Sequence, residues 1–234
     1  MAKSAERVRK VILGESDNAE HKSRSFSISR IPANGDCFYA ATNLAISEIP
    51  DQPSGVDALR RLVSSQVTDE TLAMMKHCHD AGIEGYDFMG KVTNIDELKS
   101  ALCRTGRNAG VADCVWADGF AIQTISSVLG LSFIIVDEAS RGLLASLVAI
   151  CPEETVSQPC LPSTPGAAQL SAGCTRHRPL AGFCTLLLRS RRLHYDLISL
   201  DGRGISPIST LNSFPEVFFR RSLGTRNENA GRLL

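Results

Sequence analysis

Apolar residues recur at helical spacing as far as Leu129, and from Leu131 they run almost without interruption, so the chain is committed to helices first and strands later. The run Leu131–Asp137 is short and rich in β-branched residues, as a buried strand is. Ahead of it, Asp57–Val63, Thr68–Met75, Asn94–Cys103 and Phe120–Leu129 each carry apolar residues on one helical face. Thr68 and Asn94 are placed to cap two of these helices, Asn94 with Glu97 three residues on, and Gly130 to end the last. Beyond the run, Leu143–Ile150 reads as a strand, with a helix left open by its Leu and Ala content. Phe183–Arg189 and Leu193–Ser199 read as a β-hairpin across Ser190, Arg191 and Arg192, and Phe26 and Ile28 as a short early strand. The class this order predicts is α+β, with helices packed around a small sheet.

Hydrophobic residues at 43% and charged residues at 21% fit one folded core with loose ends. The expected divisions are a polar extension over 1–25 with room for one short helix at Val8–Leu13, a domain over 26–221, and a polar tail over 222–234. Within the domain, 152–180 loses periodicity and gathers prolines, as an insertion loop does. Lys+Arg and Asp+Glu both number 25, which gives no general attraction to nucleic acid or to an acidic membrane surface. The paired arginines Arg60-Arg61, Arg191-Arg192 and Arg220-Arg221 read as solvated surface. Eight cysteines without a C-x-x-C pair read as reduced thiols, hence an intracellular, cytoplasmic address. No apolar run reaches the roughly 18 residues of a membrane span.

Chemistry concentrates at Asn34-Gly35-Asp36-Cys37-Phe38-Tyr39-Ala40-Ala41, a glycine turn running into good helix formers. Cys37 is therefore expected at a helix N-terminus, where unpaired N–H groups favour a thiolate. One reading is a nucleophile; the other is a small buried hydrophobe. A partner for the first reading lies in Leu193-His194-Tyr195-Asp196-Leu197-Ile198, where strand alternation puts His194 and Asp196 on one face. Asp196 can then fix the tautomer of His194 as it acts on the thiol, although His194 alone also reads as a structural histidine on a half-buried strand. Asn34 and Gly35 shape the turn, and the N–H groups of Asp36 and Cys37 are the expected oxyanion donors. His77-Cys78-His79 resembles a metal-ligand cluster but has no second cluster at a usable spacing, so no metal is expected.

These residues resemble the ovarian-tumour (OTU) cysteine proteases. Asn34–Ala40 is similar to the family's nucleophile motif and Leu193–Ile198 to its histidine motif. Trp116-Ala117-Asp118-Gly119-Phe120-Ala121-Ile122-Gln123-Thr124-Ile125-Ser126 is similar to the tryptophan block between them. The resemblance implies a papain-like α+β fold and a deubiquitinase that hydrolyses the bond after the C-terminal Gly-Gly of ubiquitin or polyubiquitin. It implies Cys37 as nucleophile, His194 as base and Asp196 as orienting acid, with no cofactor and a monomeric chain as the default. Asn34 stands where the family more often has Asp, so Asp196 must supply the acid, and Ala121 replaces the usual Glu. Trp116 and Tyr195 are candidates to line the substrate channel, Trp116 equally a core residue. An acidic face for the basic surface of ubiquitin is expected from among Asp36, Asp118, Asp87 and Glu84. A protease for a ubiquitin-like modifier or a viral polyprotein, and a non-catalytic ubiquitin-binding module, are the alternatives.

Overall fold

A computed structural model of the chain describes residues 25–137, 146–150, 180–190 and 194–208. The expected N-terminal helix, the insertion loop up to residue 179, the hairpin turn at 191–192 and the C-terminal tail lie outside the described residues. In order, the elements are β1 (Phe26–Ser29), α1 (Cys37–Ile46), α2 (Val56–Ser65), α3 (Asp69–Asp80), a 3-10 helix (Asp87–Lys91), α4 (Ile95–Cys103), α5 (Gly106–Ala109) and α6 (Gly119–Leu129). The strands β2 (Ser132–Asp137), β3 (Ser146–Ile150), β4 (Phe183–Ser190), β5 (His194–Leu200) and β6 (Ile205–Pro207) follow. The architecture is α+β.

Local chemistry explains where the helices begin and end. The Thr68 side chain accepts the Thr71 N–H in a reciprocal capping box, and Asn94 accepts the Glu97 N–H. Gly130 closes α6 in the left-handed conformation at φ 66°, which a residue with a Cβ adopts at a cost. The one-turn helix α5 and the 3-10 helix were not legible in the apolar pattern, because segments this short show too little of a face. The open choice at Leu143–Ile150 resolves to a strand, Ser146–Ile150.

The strands form one sheet in the order β1-β5-β4-β2-β3, with β6 also paired to β4. β2 and β4 run parallel, and the remaining pairs are antiparallel. Because side chains alternate, each strand divides its residues between two layers. Phe133, Ile135, Leu187, Tyr195 and Leu197 pack with Phe38, Ala41 and Ala45 of α1 and with Ala121, Ile122, Ile125 and Leu129 of α6. Ile134, Val136, Leu186, Leu188 and Ile198 form a second cluster on the other face. The consequence for function is a fixed relation between α1 and β5: α1 is pressed across the sheet with its first residue, Cys37, near the start of β5, which begins at His194.

Arg60 departs from the sequence reading. It is not solvated but fully buried, at 0% exposure. Its neighbours on α2, Leu59 and Val63, are core residues, and the guanidinium enters the protein with them. A buried charge must be paired and hydrogen-bonded, and Arg60 finds both at the turn before Cys37.

Candidate active site

The turn ahead of α1 is held from several sides. Asn34 Oδ1 accepts the Asp36 N–H at 3.1 Å, and Gly35 takes φ 87°. A Cβ on Gly35 would drive into Cys114 Sγ, so glycine is required both by backbone and by space. The Asn34 carbonyl lies against Gly106 at the start of α5, where a Cβ would overlap its oxygen. The Asp36 carboxylate is buried at 3% and accepts from Arg60 Nε at 2.9 Å and Nη2 at 2.7 Å. Two expectations are corrected here. Asp36 contributes nothing to an acidic surface, since burial and Arg60 consume its charge, and its N–H, expected to face an oxyanion, is already bonded to Asn34.

Cys37 opens α1 and is 3% exposed. Burial pushes its thiol above the ordinary value of 9.0, N–H groups of Tyr195, Phe38 and Cys37 itself pull it back, and the Asp196 charge adds to the rise. The net direction is upward, so the free protein rests with a neutral thiol. Alkylation of Cys37 by iodoacetamide, followed by peptide-resolved mass spectrometry, is therefore expected to keep rising with pH past the range where an ordinary cysteine levels off. A plateau near neutral pH would contradict this picture of the resting site.

The Tyr195 N–H reaches the Cys37 sulfur from the residue next to His194. His194 is 19% exposed in its side chain, and its Nε2 lies 3.2 Å from Asp196 Oδ1. Its other ring nitrogen, Nδ1, is buried without a hydrogen-bond partner. Asp196 is fully buried and is shared three ways: Oδ1 takes His194 and, at 2.9 Å, the Ile31 N–H, while Oδ2 takes Arg30 Nη1. The register of β1 on β5, with Ser29 opposite Leu197, brings Arg30 and Ile31 there as the chain leaves β1. A carboxylate so enclosed is fixed in place, and with it the imidazole plane.

Tyr195 does not line a channel. It is 3% exposed and meets Phe38 edge to face at 5.6 Å, because alternation turns it to the helix-packed side of the sheet. Trp116 is half-buried beside the turn: its Nε1–H donates to the Val111 carbonyl at 3.4 Å, and a Cβ on Gly35 would come into contact with its ring nitrogen. Asp118 caps α6 through the Ala121 N–H at 2.9 Å and accepts the Tyr86 hydroxyl at 3.0 Å. Of the acidic candidates, Glu84 and Asp87 are exposed. Among the described residues no group of three or more His, Cys, Asp or Glu side chains could hold a metal, and no helix is long and apolar enough to cross a membrane.

Arg60, Arg30 and Cys114 were missed as site residues. For Arg60 a signal existed: it sits four residues after Val56 and three before Val63, on the apolar stripe of its helix, where a charged residue needs a buried partner. Arg30 and Cys114 reach the site only through tertiary structure, and neither stands in a pattern of its own.

No protein-family model matches the chain, and no curated protein matches it by sequence. Solved structures to which it is similar are OTU domains. One is an ovarian tumor (OTU) domain in complex with ubiquitin, at 12% identity over 88% of this chain and 92% of that chain, TM-score 0.46. Another is the Hazara virus OTU bound to ubiquitin, at 18% identity over 75% and 81%, TM-score 0.37. A third is an OTU deubiquitinase from Wolbachia pipientis wMel, at 9% identity over 84% and 96%, TM-score 0.41. Likeness at this level assigns neither family nor activity, and the functional reading rests on the residues of the site.

Proposed function

We propose that this chain is an OTU-type deubiquitinase, a cysteine protease that hydrolyses the isopeptide or peptide bond after the C-terminal Gly-Gly of ubiquitin. The observation that carries the reading is the arrangement at β5: a thiol at a helix start against the N–H of Tyr195, whose neighbour in the strand, His194, has its Nε2 held by a buried carboxylate. The three sequence blocks in family order add to it.

With Nε2–H donating to Asp196, the Nδ1 lone pair of His194 is the free base. His194 takes the Cys37 proton as the sulfur attacks the carbonyl carbon, then gives that proton to the leaving amine as the C–N bond breaks. The products are the freed amine and a thioester on Cys37. Water then attacks the thioester with its proton passing to His194, and the C–S bond breaks to regenerate the thiol and release the ubiquitin carboxylate. The Cys37 N–H at the start of α1 is the donor for the oxyanion in both steps, since the Asp36 N–H is engaged by Asn34. Trp116, flat and half-exposed beside the turn, is the wall against which a Gly-Gly tail would lie.

The test is release of a fluorophore amide from the ubiquitin C-terminus by the purified chain. Release is expected; its absence alongside cleavage of a modifier-linked substrate would move the activity to that modifier. Absence with both, while ubiquitin still binds, would make the chain a binding module. Asp196→Asn keeps the shape but loses the charge that orients His194 and pairs Arg30. It is expected to lower kcat at least about tenfold, within the up to ~10⁴-fold that the same change costs a serine-protease triad. An unchanged kcat would remove Asp196 from the mechanism.

A further inference from the structure

Among the described residues, every helix whose N-cap is Thr, Asn or Asp is capped by that side chain, with one exception. Thr68, Asn94, Thr105 and Asp118 stand at the N-cap position in extended backbone, and each accepts a hydrogen bond from its own helix, at Thr71, Glu97, Asn108 and Ala121. Asp36 holds that position on α1, at φ −99° and ψ 4°, and its side chain makes no such bond. Asp is among the best capping residues, and Asp118 caps α6 in this same protein. The backbone at Asp36 differs from that of those four, and another partner holds the carboxylate.

Arg60 does so with nearly all of its donors fixed. Nε and Nη2 take the Asp36 carboxylate, Nη2 also the Gly35 carbonyl at 3.2 Å, and Nη1 the carbonyls of Leu102 at 3.1 Å and Val115 at 3.0 Å. The guanidinium carbon lies 4.3 Å over the Tyr39 ring. A planar fork tied to α1, to the end of α4 and to the segment before α6 has one orientation available. Were the carboxylate released, the ordinary cap would be the N–H of Phe38 or Tyr39. It would then occupy a donor that now favours the Cys37 thiolate and set a negative charge beside the sulfur.

We propose that Arg60 is a positioning residue of the thiol site: by drawing the Asp36 carboxylate off the first turn of α1, it leaves the Phe38 N–H to the sulfur. The inference rests on the reading of Cys37 as the reacting group, and its test needs no ubiquitin. The rate of Cys37 alkylation by iodoacetamide is measured at one near-neutral pH, resolved by peptide from the other free cysteines. In Arg60→Met the released carboxylate is expected to slow alkylation about tenfold, the size of a charge placed at a helix end. In Asp36→Ala/Arg60→Met no carboxylate remains to cap, and the rate returns to within a few-fold of the parent. A folded Arg60→Met with the parent rate overturns the proposal. Since a lone buried carboxylate is strongly destabilising, Arg60→Met can fail to fold, and the double variant, with both charges gone, then decides. Native circular dichroism with a near-parent rate supports the proposal; native circular dichroism with a tenfold loss shows that the pair itself is needed and overturns it. A parent inert toward ubiquitin substrates but showing this alkylation pattern would sink the deubiquitinase reading and leave the inference standing.

Discussion

Cys37→Ala is expected to reduce release of a fluorophore from the ubiquitin C-terminus by about 10⁴-fold or more, because the bond that carries the acyl group forms at its sulfur. Folding should be little affected. Cys37 is a core residue beside Phe38 and Tyr39, and losing one buried sulfur atom costs on the order of 1 kcal/mol, a few degrees in Tm for a domain this size. Loss of activity with a near-parent Tm thus separates the two readings of this cysteine. A small buried hydrophobe would give the small Tm change and leave activity intact. His194→Ala should follow the same pattern, since the residue that moves the proton is removed while a partly exposed ring leaves the core alone.

Gly106→Ala is the second large effect, and it acts at a distance from the chemistry. Gly106 is buried, and a Cβ there would overlap the Asn34 carbonyl and crowd the Asp36 carboxylate. Neither can yield freely, as Cys114 stands behind the turn and Arg60 holds Asp36. Overpacking of this kind costs about 3 kcal/mol, which is roughly 6–12 °C in Tm for a chain of this length. If the strain is relieved by moving the turn, Cys37 moves with it, and a displacement near 1 Å costs about 10²-fold in rate. Thermal melting and fluorophore release read both consequences. A variant with parent Tm and parent rate would show that α5 does not brace the nucleophile turn.

The parts of the protein that could be read from sequence are those in which local chemistry and tertiary packing agree. Thr68 and Asn94 cap because their side chains reach their own helices; Phe120–Leu129 lies in a helix because its apolar face is continuous; the run after Leu131 is a strand because residues 132–136 are buried on both faces. His194 and Asp196 share a hydrogen bond because strand period dictates it. The same alternation that joined them also buries Tyr195, and the channel role assigned to it failed because a strand residue on the opposite face must meet the helices. Arg60 and Asp36 were misread for one reason. Each was judged as an exposed charge, whereas a buried pair forms only between residues that tertiary structure brings together, 24 positions apart. The parallel pairing of β2 with β4 is likewise a matter of topology, which apolar runs alone do not specify.

The central claim is that Cys37 is a nucleophile toward the ubiquitin C-terminus. Its most direct measurement is incubation with a ubiquitin probe bearing a C-terminal electrophile, followed by intact mass spectrometry and peptide mapping of the adduct. A single ubiquitin added at Cys37, lost in Cys37→Ala and strongly slowed in His194→Ala, is the predicted result. An adduct at another cysteine, or none under conditions where ubiquitin binds the chain, would contradict it.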